Sequence, residues 1–541
     1  MIESIDRVVN AIGGFLYRPY IVPLFLLAAG LYFTIRTGLI QFRLFGESIR
    51  VVKEKPKEKG SISSFGALMV STASRVGTGN IVGVSTAICL GGFGAVFWMW
   101  VVALVGGASA FIESALAQVY KKRDADGSSY GGPSYYMEQA LHQRWLGIVF
   151  AVVLILTYVV GFNMLAAYNL QDAFGGFSFY VKGRTPYIIG AILAVLFALC
   201  VLGGGKRLTN VTGVLVPVMG LLYIVMSLVV VFMNIRIFPS VIANIFRDAF
   251  NFKAAFSGFT GSCIMWGIKR GLYSNEAGMG SAPNAAATAD VSHPAKQGLV
   301  QMLSVFIDTL LICSATAFMC LCSGVVPTPE AAGAAYVQAS VQQSLGSFGP
   351  IFIAISMCLF AFTTLIGNYY YCEGCLKYIL KRDPSKAGMT VFRVLASLIV
   401  FVGATVSAGL AWDTADMLQA TMVIINVPVI LILGNKGVAV LKDYMRQRSE
   451  GKDPQFHAAD IGITGTDFWN QTAFYNEKES LSRIVTSSLF LRPALRLGTI
   501  SGRLSSGAAR SPADSSPARS QCPCRGAWPC STGRQTSDPP R

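Results

Sequence analysis

Apolar runs of about twenty residues recur from Ile21 to Leu433, separated by short polar connections. A run of that length spans the hydrocarbon core of a bilayer as a helix. Lipid offers no partner to an open backbone N–H or C=O, so a spanning segment must close its own hydrogen bonds, and helices do. Only 13% of the 541 residues are charged and 53% are hydrophobic; soluble domains carry about 25% charged residues. The chain therefore reads as all-α and polytopic. The first run, Ile21–Phe33, follows Asp6 and Arg7 without a basic leader or a small-residue cleavage site, so it reads as a retained span rather than a signal peptide. Most of the twelve cysteines sit inside apolar runs, where a free thiol behaves as a small hydrophobe. The three histidines, His142, His293 and His457, fall in predicted loops or the tail and build no metal-ligand cluster. Cys372 and Cys375 have CxxC spacing but no neighbouring ligands.

Eleven spans are predicted, at roughly 19–36, 62–90, 95–120, 146–172, 186–203, 209–235, 254–289, 297–323, 349–379, 389–409 and 413–436. Each odd-numbered exit is basic: Arg36 to Lys59, Lys121 to Arg123, Lys206 and Arg207, Lys377 to Lys386, and Lys442 to Arg448. Positive loops stay cytoplasmic, which places the N-terminus outside and the C-terminus inside. Lys182, Arg184, Arg236, Arg247 and Lys253 run against this, on predicted outer segments.

Two spans are interrupted. The second holds SRVGTGNIVG, with Arg75, Gly77, Gly79 and Asn80 at mid-membrane depth; the seventh holds MWGIKRGLYSNEAG, with a break expected over Gly267, Lys269, Arg270 and Gly271. Setting the first span aside, the breaks fall in the first and sixth of ten, the leading helix of each half of a five-plus-five arrangement. Paired glycine-interrupted helices point to an inverted-repeat transporter with its site between them. Half-helix N-termini favour a carboxylate, and freed carbonyls favour Na⁺. Glycines also serve close helix packing in membranes, the competing reading for each break taken alone.

Several stretches carry a family resemblance. GGFGAVFWMWVVALVG (Gly91–Gly106), RVGTGNIVGVSTAI, RGLYSNEAGMGSAPNAAATADVSHPAKQG, YGGPSYYM, FAFTT and the tail element DPQFHAADIGITGTDFW all resemble motifs of the alanine or glycine:cation symporters, the sodium:alanine symporters. The resemblance covers residues 1 to about 480. It implies the leucine-transporter fold, a 5+5 inverted repeat plus one extra N-terminal helix. The expected division is 1–61, the extra helix and basic loop; 62–235 and 236–436, the two repeats; 437–480, a cytoplasmic segment; and 481–541, a tail.

By motif match, the amides of Thr78 and Gly79, beside Gly77 and Asn80, would receive the substrate carboxylate. The carbonyls of Ala73 and Val76 with the hydroxyls of Thr363 and Thr364 would hold sodium, since oxygen ligands suit a hard cation. Carbonyls near Met265, Trp266 and Gly267 would meet the ammonium, with Met265 and Trp266 shaping the pocket. The competing role for the threonines is helix–helix hydrogen bonding. Two departures from the family pattern bear on substrate. Phe93 stands where proline is common after the Gly-Gly pair, and Ala166-Ala167-Tyr168-Asn169 replaces a Gln-x-Asn-Ser stretch, so Ala166 and Asn169 are pocket candidates.

Charges inside spans are costly and need a partner or water. Arg75, Glu113, Lys269, Arg270, Glu276, Asp308 and Glu373 are such residues. Arg75 with Glu113 or Glu276 is expected as a gating or bracing pair, with Asp308 in the same group; permanent packing pairs are the alternative. From about Leu491 the composition turns to Arg, Ser, Pro and Gly, with eight arginines against two aspartates, +6 of the net +16. Such a segment cannot bury enough apolar surface to fold, and it reads as an out-of-frame or read-through extension.

The resemblance implies import of a small neutral amino acid, alanine or glycine first and glutamine as the alternative, driven by Na⁺ with H⁺ as the alternative coupling ion. It also implies a plasma-membrane location. A sensor on the same fold without net flux is the competing class. No nucleophile–base cluster, ATP-binding motif or organic-cofactor motif marks an enzyme. No nucleic-acid partner is expected; the partners are the amino acid and lipid, and the chain is expected to be monomeric.

Overall fold

The computed structural model describes residues 2–17, 21–56, 61–124, 127–202, 204–251 and 263–469. The end of the expected cytoplasmic segment and the whole predicted tail, 470–541, lie outside these residues, as does the start of the seventh span. The elements in chain order are α1 (Ile2–Tyr17), α2 (Ile21–Arg36), α3 (Phe45–Val52), α4 (Ser64–Arg75), a 3₁₀ turn (Thr78–Asn80), α5 (Val82–Gly91) and α6 (Gly94–Val119). A two-residue hairpin (Lys122–Arg123 with Ser129–Tyr130) follows. Then come α7 (Pro133–Leu141), α8 (Arg144–Asp172), α9 (Thr185–Val201), α10 (Gly204–Met233), α11 (Phe238–Ala249), α12 (Cys263–Asn275) and α13 (Pro283–Ala286). The last are α14 (Pro294–Leu321), α15 (Ala334–Leu345), α16 (Phe348–Leu380), α17 (Lys386–Gly403) and α18 (Ala408–Ser449).

Seven of these helices (α6, α8, α10, α14, α16, α17 and α18) are long and apolar enough to cross a membrane, and an eighth span results if α1 and α2, bent by 42°, count as one. The remaining predicted spans are helical too, but α9 is short, and α4–α5 and α12 are parts of interrupted segments. Serine caps mark several starts: Ser63 Oγ accepts the Gly66 amide at 3.0 Å, and Ser385 Oγ accepts that of Gly388 at 3.1 Å. Such caps satisfy a donor that a helix start leaves open.

Burial sorts the helices into centre and rim. α14 buries 78% of its apolar window, whereas α10 buries 28% and α17 22%. The exposed faces of α9 and α10 are stripes of Ile188, Ile192, Val195 and Leu199, and of Val214, Val218, Leu221, Val225 and Leu228. Patches of that extent are not left to water; they face lipid. The core helices α4, α5, α6, α12, α14 and α16 surround the interruptions.

The first interruption falls where the sequence places it. Val76 (φ −77°, ψ 86°) and Gly77 (φ −137°, ψ −156°) leave the helix, and a single 3₁₀ turn precedes α5. The second does not. α12 is continuous through Gly267, Lys269, Arg270 and Gly271, and the chain leaves it at Glu276 (φ 54°), with Gly278 (φ 81°) and Gly280 (φ 88°) beyond. The two glycines of α12 serve close packing instead. A Cβ at Gly267 would lie 2.5 Å from the Ala95 carbonyl oxygen, and one at Gly271 would lie 2.6 Å from Val102 Cγ1. The glycines that supply a left-handed backbone are thus Gly278 and Gly280, further along the chain.

Candidate functional site

At the first break the Gly77 amide turns away from the helix ladder and donates to Asn80 Oδ1 at 2.8 Å. In an unbroken helix that amide would serve the Ala73 carbonyl, four residues back. Ala73 therefore loses its helical donor, and Val76, outside regular structure, has none to replace one. The amides of Thr78 and Gly79 stand at the start of the turn, where a helix leaves its first donors open. All of this is buried: Thr78 is 1% exposed and Asn80 is 0% exposed.

α16 lies against this segment at its closest. A Cβ on Gly367 would fall 2.5 Å from the Ser74 amide nitrogen, and one on Gly77 would land on Thr364 Oγ1. Thr364 is buried, and its hydroxyl has no hydrogen-bond partner. Thr363 differs. Its hydroxyl donates back to the carbonyls of Leu359 and Phe360, both at 3.0 Å, and faces Met219. Of the two expected hydroxyl ligands, Thr364 alone is unpartnered beside the Ala73–Val76 carbonyls; Thr363 has its proton engaged but keeps its oxygen lone pairs.

Asn169 reaches the break from α8, donating to Thr78 Oγ1 at 3.1 Å, while its own Oδ1 is buried without a donor. Ala166, also fully buried, lies one turn earlier on that face. Three aromatic rings pack together at the break. Tyr273 Cε1 would lie 2.5 Å from a Cβ on Gly79, and its ring packs edge-on against Phe162 (4.9 Å) and Trp412 (5.3 Å). The sequence reading missed this trio. Its only signal is Tyr273's place inside the RGLYSNEAG motif.

Met265 and Trp266 are not at the break. Trp266 packs where α5 ends, 2.8 Å from a Cβ on Gly91, and with Met265, Tyr17, Lys269 and Asp416 it lines a separate cavity of about 750 Å³. The Met265, Trp266 and Gly267 carbonyls belong to continuous helix, so the expected ammonium acceptors are misplaced. Between that cavity and the break stands a buried ion cluster. Asp416 takes both terminal nitrogens of Arg270, at 3.1 and 3.3 Å, and Lys269 Nζ at 2.7 Å. The Arg270 guanidinium lies 3.9 Å from the centre of the Trp412 ring.

Neither expected Arg75 pair is formed. Arg75 is 2% exposed; it donates through Nη1 to the Gln301 carbonyl at 3.3 Å, and its Nε and Nη2 have no partner. Neutral donors make the carboxylates' hydrogen bonds, while the Arg75 charge acts on Glu113, Glu276 and Asp308 without contact. Glu276 accepts from Ser74 (3.1 Å) and Ser281 (2.7 Å), and Asp308 from Asn80 (2.7 Å), Ser274 (2.7 Å) and Thr309 (2.8 Å). Glu113 accepts from the Gly278 amide (3.3 Å) and from Asn426 (2.9 Å). The reason is composition around the breaks: Ser, Thr and Asn are within reach of the carboxylates, while Arg75 points at Gln301. Asp308 sits in a π-helical stretch of α14, Phe306–Cys313, and Phe162 ends another in α8, Leu156–Phe162. Such stretches collect at functional sites.

A lipid-facing rim of helices around a buried, ligand-ready helix break defines a polytopic membrane transporter. The chain matches the profile of the sodium:alanine symporter family over residues 2–458, and it belongs to that family. It is 46% identical over 445 residues to the amino-acid carrier protein AlsT of Bacillus subtilis (strain 168), covering 82% of this chain and 94% of that one. It is 42% identical to the probable sodium/glutamine symporter GlnT of the same strain (84% and 94% covered). It is 37% identical to the sodium/alanine symporter AgcS of Methanococcus maripaludis (82% and 98% covered). A crystal structure of MhsT in complex with L-phenylalanine superposes with a TM-score of 0.48 at 14% identity, over 77% of this chain and 97% of that one.

Proposed function

We propose that the protein is a sodium-coupled symporter that imports a small neutral amino acid, alanine or glycine first and glutamine as the alternative. The observation that carries this is the first break. Open amides at Thr78 and Gly79, helix carbonyls without donors at Ala73 and Val76, and the unpartnered Thr364 hydroxyl lie together there. The amides suit the substrate carboxylate, and the carbonyls with Thr364 Oγ1 suit Na⁺. The ammonium faces the last carbonyls of α12, Tyr273 to Asn275, the negative end of that helix; Ser274 is held against Asn80 at 3.0 Å. Tyr273 and Trp412, packed with Phe162 of α8, stand beside the break, bulk that favours a short side chain. The relatives named for alanine and for glutamine support this substrate range.

Coupling follows if Na⁺ favours the conformation that takes the amino acid, a population shift by differential affinity. The two repeats, 62–235 and 236–436, would rock about the breaks. The Asp416–Arg270–Lys269 cluster, closing the cavity lined by Trp266 from the site, is the outer barrier. The N-terminus lies outside, the C-terminus in the cytoplasm, and the monomer sits in the plasma membrane, as the basic exits at Lys121–Arg123 and Lys377–Lys386 suggest.

The test is uptake of labelled alanine, glycine and glutamine into proteoliposomes with and without an inward Na⁺ gradient. Gradient-driven accumulation of one of them is expected. Binding without accumulation would replace this reading with the sensor class.

A further inference from the structure

The segment after α18 has no role in substrate handling, yet it is buried like core. Phe456 and Ala458 are each 4% exposed, and Phe468 and Trp469 are each 8% exposed. A loop returning to solvent does not bury its apolar side chains, so Asp453–Trp469 is docked.

Its partners come from several elements. The Phe456 amide donates to the Ser292 carbonyl at 3.0 Å, in the connection between α13 and α14. The Phe456 ring stands edge-on to His293 at 5.3 Å and to Trp469 at 5.0 Å. Asp453 pairs with buried Lys296 at 2.9 Å, at the first turn of α14. Trp469 Nε1 donates to the Gln118 carbonyl at 2.9 Å, near the end of α6. Lys121 Nζ lies 4.1 Å from the centre of the Phe468 ring, and Arg123 lies 4.8 Å from it. Lys122 pairs with Asp467 at 3.4 Å. At the other end, Gln447 of α18 exchanges hydrogen bonds with the backbone of Gln455, at 2.8 and 2.9 Å. His293, between Asp443 of α18 and the Phe456 ring, links the connection before α14 to α18 and to the segment.

We infer that Asp453–Trp469 is an inner strap. It ties the cytoplasmic ends of α6 and α14 to the end of α18, and it must let go for the inner mouth to open. The inference rests on the symport reading and its orientation. Alternating access parts the inner ends of the helices that carry the breaks and those beside them. A segment bonded to three such ends resists that parting with every contact it makes. Its aromatic anchors, Phe456, Phe468 and Trp469, lie on two bonded surfaces and can leave either one without unfolding a helix. The basic exit of α6 thus does more than set topology. Its Lys121, Lys122 and Arg123 form the seat for Asp467 and Phe468.

A Ser292→Cys/Phe456→Cys pair tests this, because the backbone hydrogen bond between these residues brings their Cα atoms within disulfide range. Closure is read by mass spectrometry of the linked peptide in full-length protein in proteoliposomes. Closing the bond is expected to cut Na⁺-driven alanine uptake at least tenfold, to leave Na⁺-dependent alanine binding within twofold, and to be reversed by reductant. Full uptake with the bond closed, or failure of the bond to form, overturns the strap. A second arm needs no flux. Phe468→Ala/Trp469→Ala is expected to raise hydrogen exchange over residues 118–124 and 292–297 several-fold without a matching rise in α8; unchanged exchange overturns the strap. A reduced protein that neither binds nor carries alanine, glycine or glutamine overturns the symport reading instead, and the exchange arm still decides the strap.

Discussion

Thr364→Ala should strengthen the empty protein while weakening its hold on sodium. The buried Thr364 hydroxyl has no partner. A buried polar group left unsatisfied costs about 1–3 kcal/mol, and losing the methyl returns about 0.8 kcal/mol of lost burial. Without sodium, the variant should therefore be as stable as the parent or up to about 2 kcal/mol more stable. With sodium the sign reverses. A neutral group facing a charge contributes about 1.5–3 kcal/mol, so the sodium dissociation constant should rise roughly ten- to 150-fold. At a sodium concentration about 100 times the parent's dissociation constant, sodium stabilises the parent by about 2.7 kcal/mol. A roughly thirtyfold weaker site leaves about 0.9 kcal/mol of that. Thr363→Ala is the control. Its hydroxyl is turned to Met219 and to the Leu359 and Phe360 carbonyls, so its sodium-induced stabilisation should fall less than that of Thr364→Ala. The assay is thermal unfolding of the detergent-solubilised protein across a sodium titration, with potassium as the counter-titration. If Thr364→Ala keeps the parent's sodium increment, the placement of sodium beside Ala73 and Val76 is wrong.

Gly77→Ala should abolish sodium-driven uptake while leaving the protein in the membrane, because its Cβ lands on Thr364 Oγ1; adding Thr364→Ala should recover thermal stability but not uptake. Gly280→Ala should lower stability by more than about 1 kcal/mol, since φ is 88° and the Cβ would meet Phe150 and Asn426 within 3.0 Å; a wild-type unfolding temperature would show the second break is not where it is drawn. Asp416→Ala should cost about 3 kcal/mol or more by leaving Arg270 buried without its counter-charge, read by thermal unfolding; a neutral result would mean water reaches the cluster. A chain ending at Phe490 should insert and transport at the parent rate; loss of uptake in a correctly inserted truncation would mean the arginine-rich end has a role.

The spans and the first break were legible because both follow from local chemistry. Lipid selects apolar runs of fixed length, and the stretch from Gly77 to Asn80 carries the break within itself: the side chain of Asn80 takes the Gly77 amide that the helix loses. The second break was misplaced because a glycine has two uses that look alike in sequence. Gly267 and Gly271 are small so that α12 can touch Ala95 and Val102, and Gly278 and Gly280 are small so that the chain can turn. Only the neighbouring helix distinguishes them. The same limit hid Tyr273, Phe162 and Trp412. An aromatic residue in an apolar run carries no mark of the rings it packs against until α8, α12 and α18 are brought together. The charges misled for a related reason. Counting Arg75 against nearby acids predicts an ion pair, but Lys269 and Arg270 found their acid on α18, 146 residues beyond Arg270.

That the buried carboxylates are held by neutral donors has a mechanical consequence. Glu276 opens the second break and accepts from Ser74, the residue before Arg75 on α4. Asp308 holds both Asn80, inside the first break, and Ser274, at the end of α12. Each acid therefore joins one break to the other through hydrogen bonds of 2.7–3.1 Å. A permanent Arg75 ion pair would fix one geometry at a high cost of separation, because parting a buried pair leaves a bare charge. Hydroxyl and amide donors can rotate and exchange partners while the carboxylate stays satisfied. Ser74 already faces two acceptors, Glu276 and Asn368, and Asn80 Nδ2 lies within reach of four. A ligand bound at the first break, as proposed, would pull on Asp308 and Ser274 through Asn80 without breaking a charge pair. Asn80 and Ser274 are 194 residues apart in sequence and one hydrogen bond apart in space, and this lets occupancy at the first break be felt at the second.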